Sequence, residues 1–553
     1  MTCDVMRFGH RKSKDMPYHK TKTYMLAITS GFLAALAYSY TDLGFLIFFA
    51  FIPFFLALIE VQPQSGGFGV GFVAGLTYFL YSFHWFLSLQ PLDGLGISNH
   101  FLSLVLVLAV WLFVASILAI FWGLFGLLIV KLKHRLANRS VILEILVVPA
   151  LFVLLEYLRA YVFSFVTFGS GGLLGPHWTF GNFAYALAGN SLFLGLASFV
   201  GIYGVLFIIV LINVSVFKLI AHKKIKHLMV IILFTVTLII IGQIWERQVE
   251  GARTLNFSII QTDQRHSLDD NSENGLNSFK KQFELLDRVI KESPESQVII
   301  FPEGSNFFKN LSSFLTPAQI KKYFTDLAKD PKLIIDNSRV AVSQQTAYSR
   351  VLFLNSRQDI IGFYDKKILT PGGEYLPVFV KLVTSLVAPK NKASFESLVA
   401  FSTGQDQKLA SFNNTNFRAA ACSDFLSPGL LRSQTQDTDV IIGLASTAIF
   451  HGSRALINQN LTINKFRAAE NNTPIISAAN TGLSYALDNR GNTIKIASDS
   501  SPQLLTGTVV IGAEKSWYNK VGDWPILLAS LLLLGYSVQV TGYSKKKRRN
   551  PRP

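Results

Sequence analysis

A chain of 553 residues is too long for a single small binding module, and its composition excludes an ordinary soluble protein: half is hydrophobic, 15% is charged against about a quarter in soluble domains, and mean hydropathy is +0.37. The same aromatic-rich, charge-poor balance excludes bulk disorder. The net charge of +17 lies almost wholly in four basic clusters, at 7–22, 131–139, 218–226 and 545–552, each beside an apolar run, so it reads as membrane topology and no nucleic-acid partner is expected.

In chain order, runs long enough to cross a bilayer at about 1.5 Å per residue lie at 24–41, 43–60, 68–90, 101–130, 142–163, 191–217, 227–244 and 524–541. The expected layout is a basic cytoplasmic segment (1–23), a bundle of seven helices (24–244), an exterior domain (245–523), an eighth helix (524–541) and a basic cytoplasmic tail (542–553). Ala35-Leu36-Ala37 behind a basic leader leaves a removable signal peptide open. Glu156 and Arg159, one turn apart in the fifth run, either pair to hold the bundle or guide substrate, because charge within a membrane is costly.

From 245 onward the runs shorten and strand and helix patterns alternate. Residues 255–261 read as a strand, and Leu276, Phe279, Phe283, Leu286 and Ile290 mark one face of a helix. Gln297–Phe301 reads as a buried strand, and Thr316-Pro317 as a helix start. Tyr348–Leu354 with Ile360–Tyr364, and Tyr485–Leu487 with Thr493–Ile496, flank turn-rich linkers and predict two hairpins. These elements make one α+β domain.

Cys422 is the only cysteine of that domain, and Cys3 is expected across the membrane from it. A lone thiol is most often a small buried hydrophobe. Here, however, the run Arg418-Ala-Ala-Ala-Cys422 places it where a strand of small residues breaks. Glu303 follows one strand through Pro302, and Lys366 follows another. Glutamate, lysine and cysteine at three strand ends form a constellation for acyl transfer, since a thiol needs a base or a cation to act as nucleophile.

Phe-Pro-Glu303-Gly, Tyr-Asp-Lys366, Pro371-Gly-Gly-Glu374-Tyr-Leu-Pro and Cys422 resemble the Glu-Lys-Cys signature of the nitrilase superfamily. With eight membrane helices, and with Leu155-Glu-Tyr-Leu-Arg159, Gly201-Ile-Tyr-Gly204, Arg467-Ala-Ala-Glu470 and Gly522-Asp-Trp-Pro525, the chain resembles the apolipoprotein N-acyltransferase family over nearly its whole length. The resemblance implies a membrane α-helical bundle of eight transmembrane helices plus a nitrilase-like α-β-β-α sandwich in the periplasm of a bacterial inner membrane. It implies Cys422 as nucleophile, Glu303 as general base and Lys366 as oxyanion stabiliser, with Glu374 and Asp424 in support and Lys367 as the rival for the lysine's place. It also implies a membrane phospholipid as donor and a diacylglyceryl apolipoprotein as acceptor; nothing in the sequence requires more than a monomer, no His, Cys, Asp or Glu spacing suggests a metal site, and no cofactor is expected. The apolar stretch from Tyr375 to Val387, with Phe307 and Phe308, is expected to form a lid at the lipid interface, and Ile449 to line the acyl pocket.

Two stretches depart from the family pattern. Cys422-Ser423-Asp424 stands where Cys-Tyr-Glu is common, and Ala445–Gly452 replaces Ser-Asn-Asp-Ala-Trp-Phe-Gly. They leave open an enzyme acylating another membrane amine or a catalytically silent scaffold. A soluble amidase has no need of eight helices, and no inverted repeat marks a transporter.

Overall fold

The computed structural model describes residues 16–61, 66–92, 97, 99–136, 141–222, 225–245, 252–263, 273–327, 332–341, 347–387 and 401–549. Cys3 and the basic residues before Met16 lie outside them, as does Arg139. Among the described residues four helical segments are long and apolar enough to cross a membrane: Thr41–Glu60, His100–Leu132, Leu143–Val166 and Ser191–Ala221. Gly67–Ser82, Ile231–Gln243 and Trp524–Gln539 are shorter apolar helices, so the eight expected spans are met in four.

Hydropathy runs overlook breaks in the helices. The run 68–90 is helical only to Ser82, then tightens into a 3₁₀ turn at His84–Leu89. The run 43–60 is a 3₁₀ helix, Thr41–Phe48, joined to an α-helix, Ile52–Glu60. The buried backbone groups left free at that joint are met by the buried amide of Asn213, which accepts from Phe51 N at 3.0 Å and donates to Ile47 O at 2.8 Å. Small residues bring helices together: a Cβ on Gly71 would lie 2.0 Å from the carbonyl oxygen of Trp122. Ala35 and Ala37, the ends of the possible cleavage site, are fully buried in the unbroken helix Met16–Ser39.

The 253–511 region folds as two sheets. The first has the order β13 (Gln503–Ile511), β1 (Arg253–Gln261), β2 (Val298–Ile300), β3 (Leu333–Ala341), β4 (Ala347–Asn355), β5 (Ile360–Asp365), β6 (Gln407–Lys408). The second has the order β12 (Thr493–Ile496), β11 (Tyr485–Leu487), β10 (Ile475–Asn480), β9 (Val440–Ser446), β8 (Thr415–Ala421), β7 (Ala410–Phe412). The period-two pattern assigns the faces. Phe257, Val298, Ile300, Leu333 and Ile335 share one core with Val440, Ile442, Ile476 and Ala478 of the other sheet. Their neighbours Ile299 and Ile334 turn the opposite way, onto Phe279 and Leu286 of the helix Glu273–Glu292. Ile441 and Ile475 likewise join Ile463 and Phe466 of the helix Arg454–Asn471. Helix, sheet, sheet, helix is the expected layering, and both predicted hairpins are present.

Residues 167–190 and the strand-end loops join the two parts. Tyr375 Oη donates to Thr167 O at 2.8 Å, Val378 N to Phe168 O at 2.8 Å, and Thr403 Oγ1 to Gly171 O at 2.8 Å. The sandwich therefore sits against the end of the helix Val141–Val166.

Candidate active site

β2 stops at Phe301-Pro302, since proline has no N–H to extend the ladder. The next residue, Glu303, is buried. Two residues of β3 hold its loop: Asn337 Oδ1 accepts from Gly304 N at 2.7 Å, and Asp336 accepts from Ser305 Oγ, Phe307 N and Phe308 N at 2.5, 3.2 and 3.0 Å. Asp336 thus sits at the N-terminus of the helix Phe307–Phe314, where a carboxylate is favoured.

At the end of β5, Lys366 is 2% exposed, and its ammonium lies 3.0 Å from Glu303 Oε1 and 2.9 Å from Glu374 Oε1. A tight turn bends Glu374 back onto it: Thr370 O accepts from Glu374 N at 2.9 Å while Glu374 Oε2 accepts from Thr370 N at 2.8 Å. Lys367 offers its backbone N–H to Asp424 Oδ1 at 3.3 Å, so Lys366 holds the central place.

β8 ends at Ala421, and Cys422 takes φ +44°, a left-handed conformation unusual outside glycine and asparagine. It opens the 3₁₀ turn Cys422–Leu426. Asp424, fully buried, stitches that turn to the lysine loop: it accepts from Ala421 N at 2.9 Å, Ile368 N at 2.8 Å and Tyr364 Oη at 3.0 Å. The three strand ends named from sequence therefore meet in one place.

The electrostatics weigh the base against the cation. Burial and the Glu303 carboxylate together push the Cys422 thiol up to about 12, and the Lys366 ammonium only partly offsets them. Two carboxylates outweigh one lysine, so the resting sulfur is a thiol and needs a base. Burial, opposed by Lys366 and reinforced by Glu374, raises the Glu303 carboxyl above the usual range, which makes it a better proton acceptor. Burial alone would lower Lys366, but Glu303 and Glu374 hold it well above an ordinary lysine. Burial also raises Asp424, against the nearby Lys366.

The expected lid is corrected in part. Phe307 is fully buried, 4.4 Å ring to ring from Phe301, and Tyr375 is 2% exposed. Phe308 is half-buried against Phe324. The apolar surface belongs to the helix Val378–Val387, where Val378 and Leu382 are exposed and Phe379 meets Phe113 of a membrane helix at 5.4 Å. Ile449 is exposed, and its Cδ1 lies 3.7 Å from where a Cβ of Gly373 would be. Among the described residues no group of three or more His, Cys, Asp or Glu is placed to hold a metal ion. Asp336 and Asn337 had no sequence signal: no element was predicted over β3, and no spacing rule singles them out.

Comparison with known proteins covers both parts. A family profile described as the apolipoprotein N-acyltransferase N-terminal domain matches residues 30–215, and one described as carbon-nitrogen hydrolase matches 259–519. Relatives named apolipoprotein N-acyltransferase include those of Geobacter metallireducens, 25% identical over 94% of this chain and 95% of their own length, and Haemophilus influenzae, 25% over 93% and 94%. That of Pasteurella multocida is 25% identical over 93% and 95%.

Proposed function

Because the chain belongs to the apolipoprotein N-acyltransferase family, we propose that it moves an acyl chain from a membrane phospholipid, through a thioester on Cys422, to the α-amine of a diacylglyceryl-cysteine at a lipoprotein N-terminus. The observation that carries the reading is the Lys366 ammonium held between the buried Glu303 and the half-buried Glu374 carboxylates, beside the Cys422 thiol. Glu303 takes the thiol proton as sulfur attacks the ester carbonyl, and Lys366 faces the negative charge that develops on the carbonyl oxygen. Collapse breaks the ester C–O bond, and Glu303 returns the proton to the departing lysophospholipid oxygen. In the second half the acceptor amine attacks the thioester, Glu303 takes its proton, and the amide forms as sulfur leaves and is reprotonated. Glu374 orients Lys366, Asp424 ties the two loops together, and Ile449 and the Val378–Val387 helix face the lipid.

In this reading eight helices cross a bacterial inner membrane, the sandwich stands in the periplasm, both termini are cytoplasmic and a single chain suffices. The pairs Lys22–Glu60 (2.7 Å) and Lys218–Glu144 (2.6 Å) support the orientation, since they collect basic residues at the bundle end away from the sandwich.

Intact-mass spectrometry after incubation with phospholipid tests the reaction. We expect a hydroxylamine-sensitive adduct of one acyl chain on the wild type and none on Cys422→Ala. An adduct on both, or on neither with lipid demonstrably bound, overturns the mechanism.

A further inference from the structure

We propose that Tyr185, in the segment between two membrane helices, is a positioning residue for Cys422: with Arg467 and Thr179 it clamps the carbonyl end of the turn that the cysteine opens. The proposal rests on Cys422 being the nucleophile. Asp424 holds the start of that turn from within the sandwich. Its end is held from elsewhere: Phe425 O accepts from Arg467 Nε at 3.0 Å, and Leu426 O accepts from Thr179 Oγ1 at 2.6 Å.

Tyr185 joins these two supports. Its hydroxyl lies 2.7 Å from Thr179 Oγ1 and 2.5 Å from Arg467 Nη2. Thr179 has one hydroxyl proton, and the carbonyl of Leu426 takes it, so Tyr185 must donate to Thr179 and accept from the guanidinium. The bonds run in one direction, Arg467 to Tyr185 to Thr179 to Leu426, an arrangement in which each bond polarises the next. Arg467 in turn pairs with Glu470, whose Oε1 accepts from Ile202 N at 2.8 Å. That N–H lies at a break in the membrane helix Ser191–His222, where Gly201 has φ +64° and a Cβ would meet the Tyr518 ring at 2.3 Å. Tyr185, Arg467, Glu470 and Thr179 are all at most 1% exposed.

The thiol is thereby referenced to the bundle that holds both lipid substrates, as well as to its own domain. Without the clamp the end of the turn is free, Cys422 relaxes from its left-handed conformation, and sulfur leaves its place beside Lys366.

The test uses the full chain in detergent micelles, with Tyr185→Phe and the near-isosteric Thr179→Val. Iodoacetamide alkylation of Cys422, followed by mass with Cys3 of the same chain as internal reference, reads the turn without any lipid; single-turnover phospholipid acylation reads its consequence. In both variants we expect single-turnover acylation to fall about 10- to 100-fold with KM for phospholipid unchanged, and Cys422 alkylation to rise by a similar factor as sulfur leaves the carboxylates that hold it as a thiol, with the Cys3 rate unaltered. Alkylation of Cys422 within about twofold of wild type in Thr179→Val overturns the proposal, whatever Tyr185→Phe does to folding. Failure of the underlying reaction is distinguishable, because it shows as an acyl adduct that survives Cys422→Ala or as no adduct on the wild type with lipid bound, neither of which the lipid-free alkylation rate reads.

Discussion

Two buried charge clusters stand a short way apart and have opposite characters. At Arg467–Glu470 one cation meets one anion, and the remaining donors and acceptors have partners in Phe425 O, Tyr185 Oη and Ile202 N. At Lys366 one cation meets two carboxylates, with a thiol beside them whose ionisation would add a further negative charge. The closed cluster has its polar atoms matched, and it works as a joint between sandwich and membrane bundle. The unbalanced one carries an excess of base, which is what a nucleophile held as a thiol requires.

Breaking the unbalanced cluster at its base tests this difference most severely. Glu303→Gln keeps the shape and the contact with Lys366 but accepts no proton. We expect thioester formation, followed by quenched-flow and intact mass, to slow by about 100- to 10,000-fold while the melting temperature hardly moves. The closed cluster should respond in reverse. Glu470→Gln leaves the Arg467 charge buried without its counter-ion, which costs about 3–5 kcal/mol of stability in thermal or chemical unfolding. Acylation by the fraction still folded should fall far less than in Glu303→Gln; an equal fall in both would erase the distinction.

Lys366→Met sits between these cases. It removes the cation that faces the developing oxyanion, for which a loss of about 100- to 1,000-fold in acylation is expected. It also leaves Glu303 and Glu374 facing each other without a cation, so one of them should take up a proton near neutral pH, visible as a carboxylic acid band in infrared spectra. No such band, with activity retained, would place the oxyanion elsewhere.

The two clusters also differ in how far sequence reveals them. Glu303, Lys366 and Cys422 each follow a short patterned strand, so local periodicity was enough to place each at a strand end, but β2 and β5 are not neighbours in the first sheet and β8 belongs to the second, so only the packing of the two sheets brings the three ends together. Both hairpins were legible for the same reason, whereas periodicity gave only an α+β domain and its two-sheet layering came from the family resemblance. The Arg467–Tyr185–Thr179 clamp was not, because its bonds link residues 282 and 247 positions apart and leave no local spacing to read. Asp336 and Asn337 were hidden in another way: two polar residues inside an apolar strand look like its frayed end until the loop they hold is seen. Phe307 and Phe308 looked alike in sequence, but a helix turns successive residues about 100° apart, so one enters the core and the other does not. Hydropathy, in turn, averages over changes of helix geometry such as the one after Ser82, where the run 68–90 leaves its α-helix for a 3₁₀ turn, which explains why that run yielded a shorter helix than its length predicts.

The smallest expected effect sharpens the comparison most. If the excess of negative charge keeps the thiol protonated, then Glu303→Gln, which cripples the reaction, should at the same time make Cys422 more acidic. The thiol stands at about 12 with Glu303 present, so the variant should titrate lower, by on the order of one unit, in ultraviolet thiolate absorbance corrected with Cys422→Ala. The pH dependence of acylation has a matching sign. In the wild type the rate should fall as pH drops through the raised value of Glu303, because a protonated carboxyl cannot take the thiol proton, and it should hold on the alkaline side until the elevated Lys366 loses its charge. In Glu303→Gln that acid limb should vanish. A variant with less activity, a more acidic sulfur and no acid limb would separate the two roles of Glu303, since proton acceptance is lost while the charge that suppressed the thiolate is removed with it.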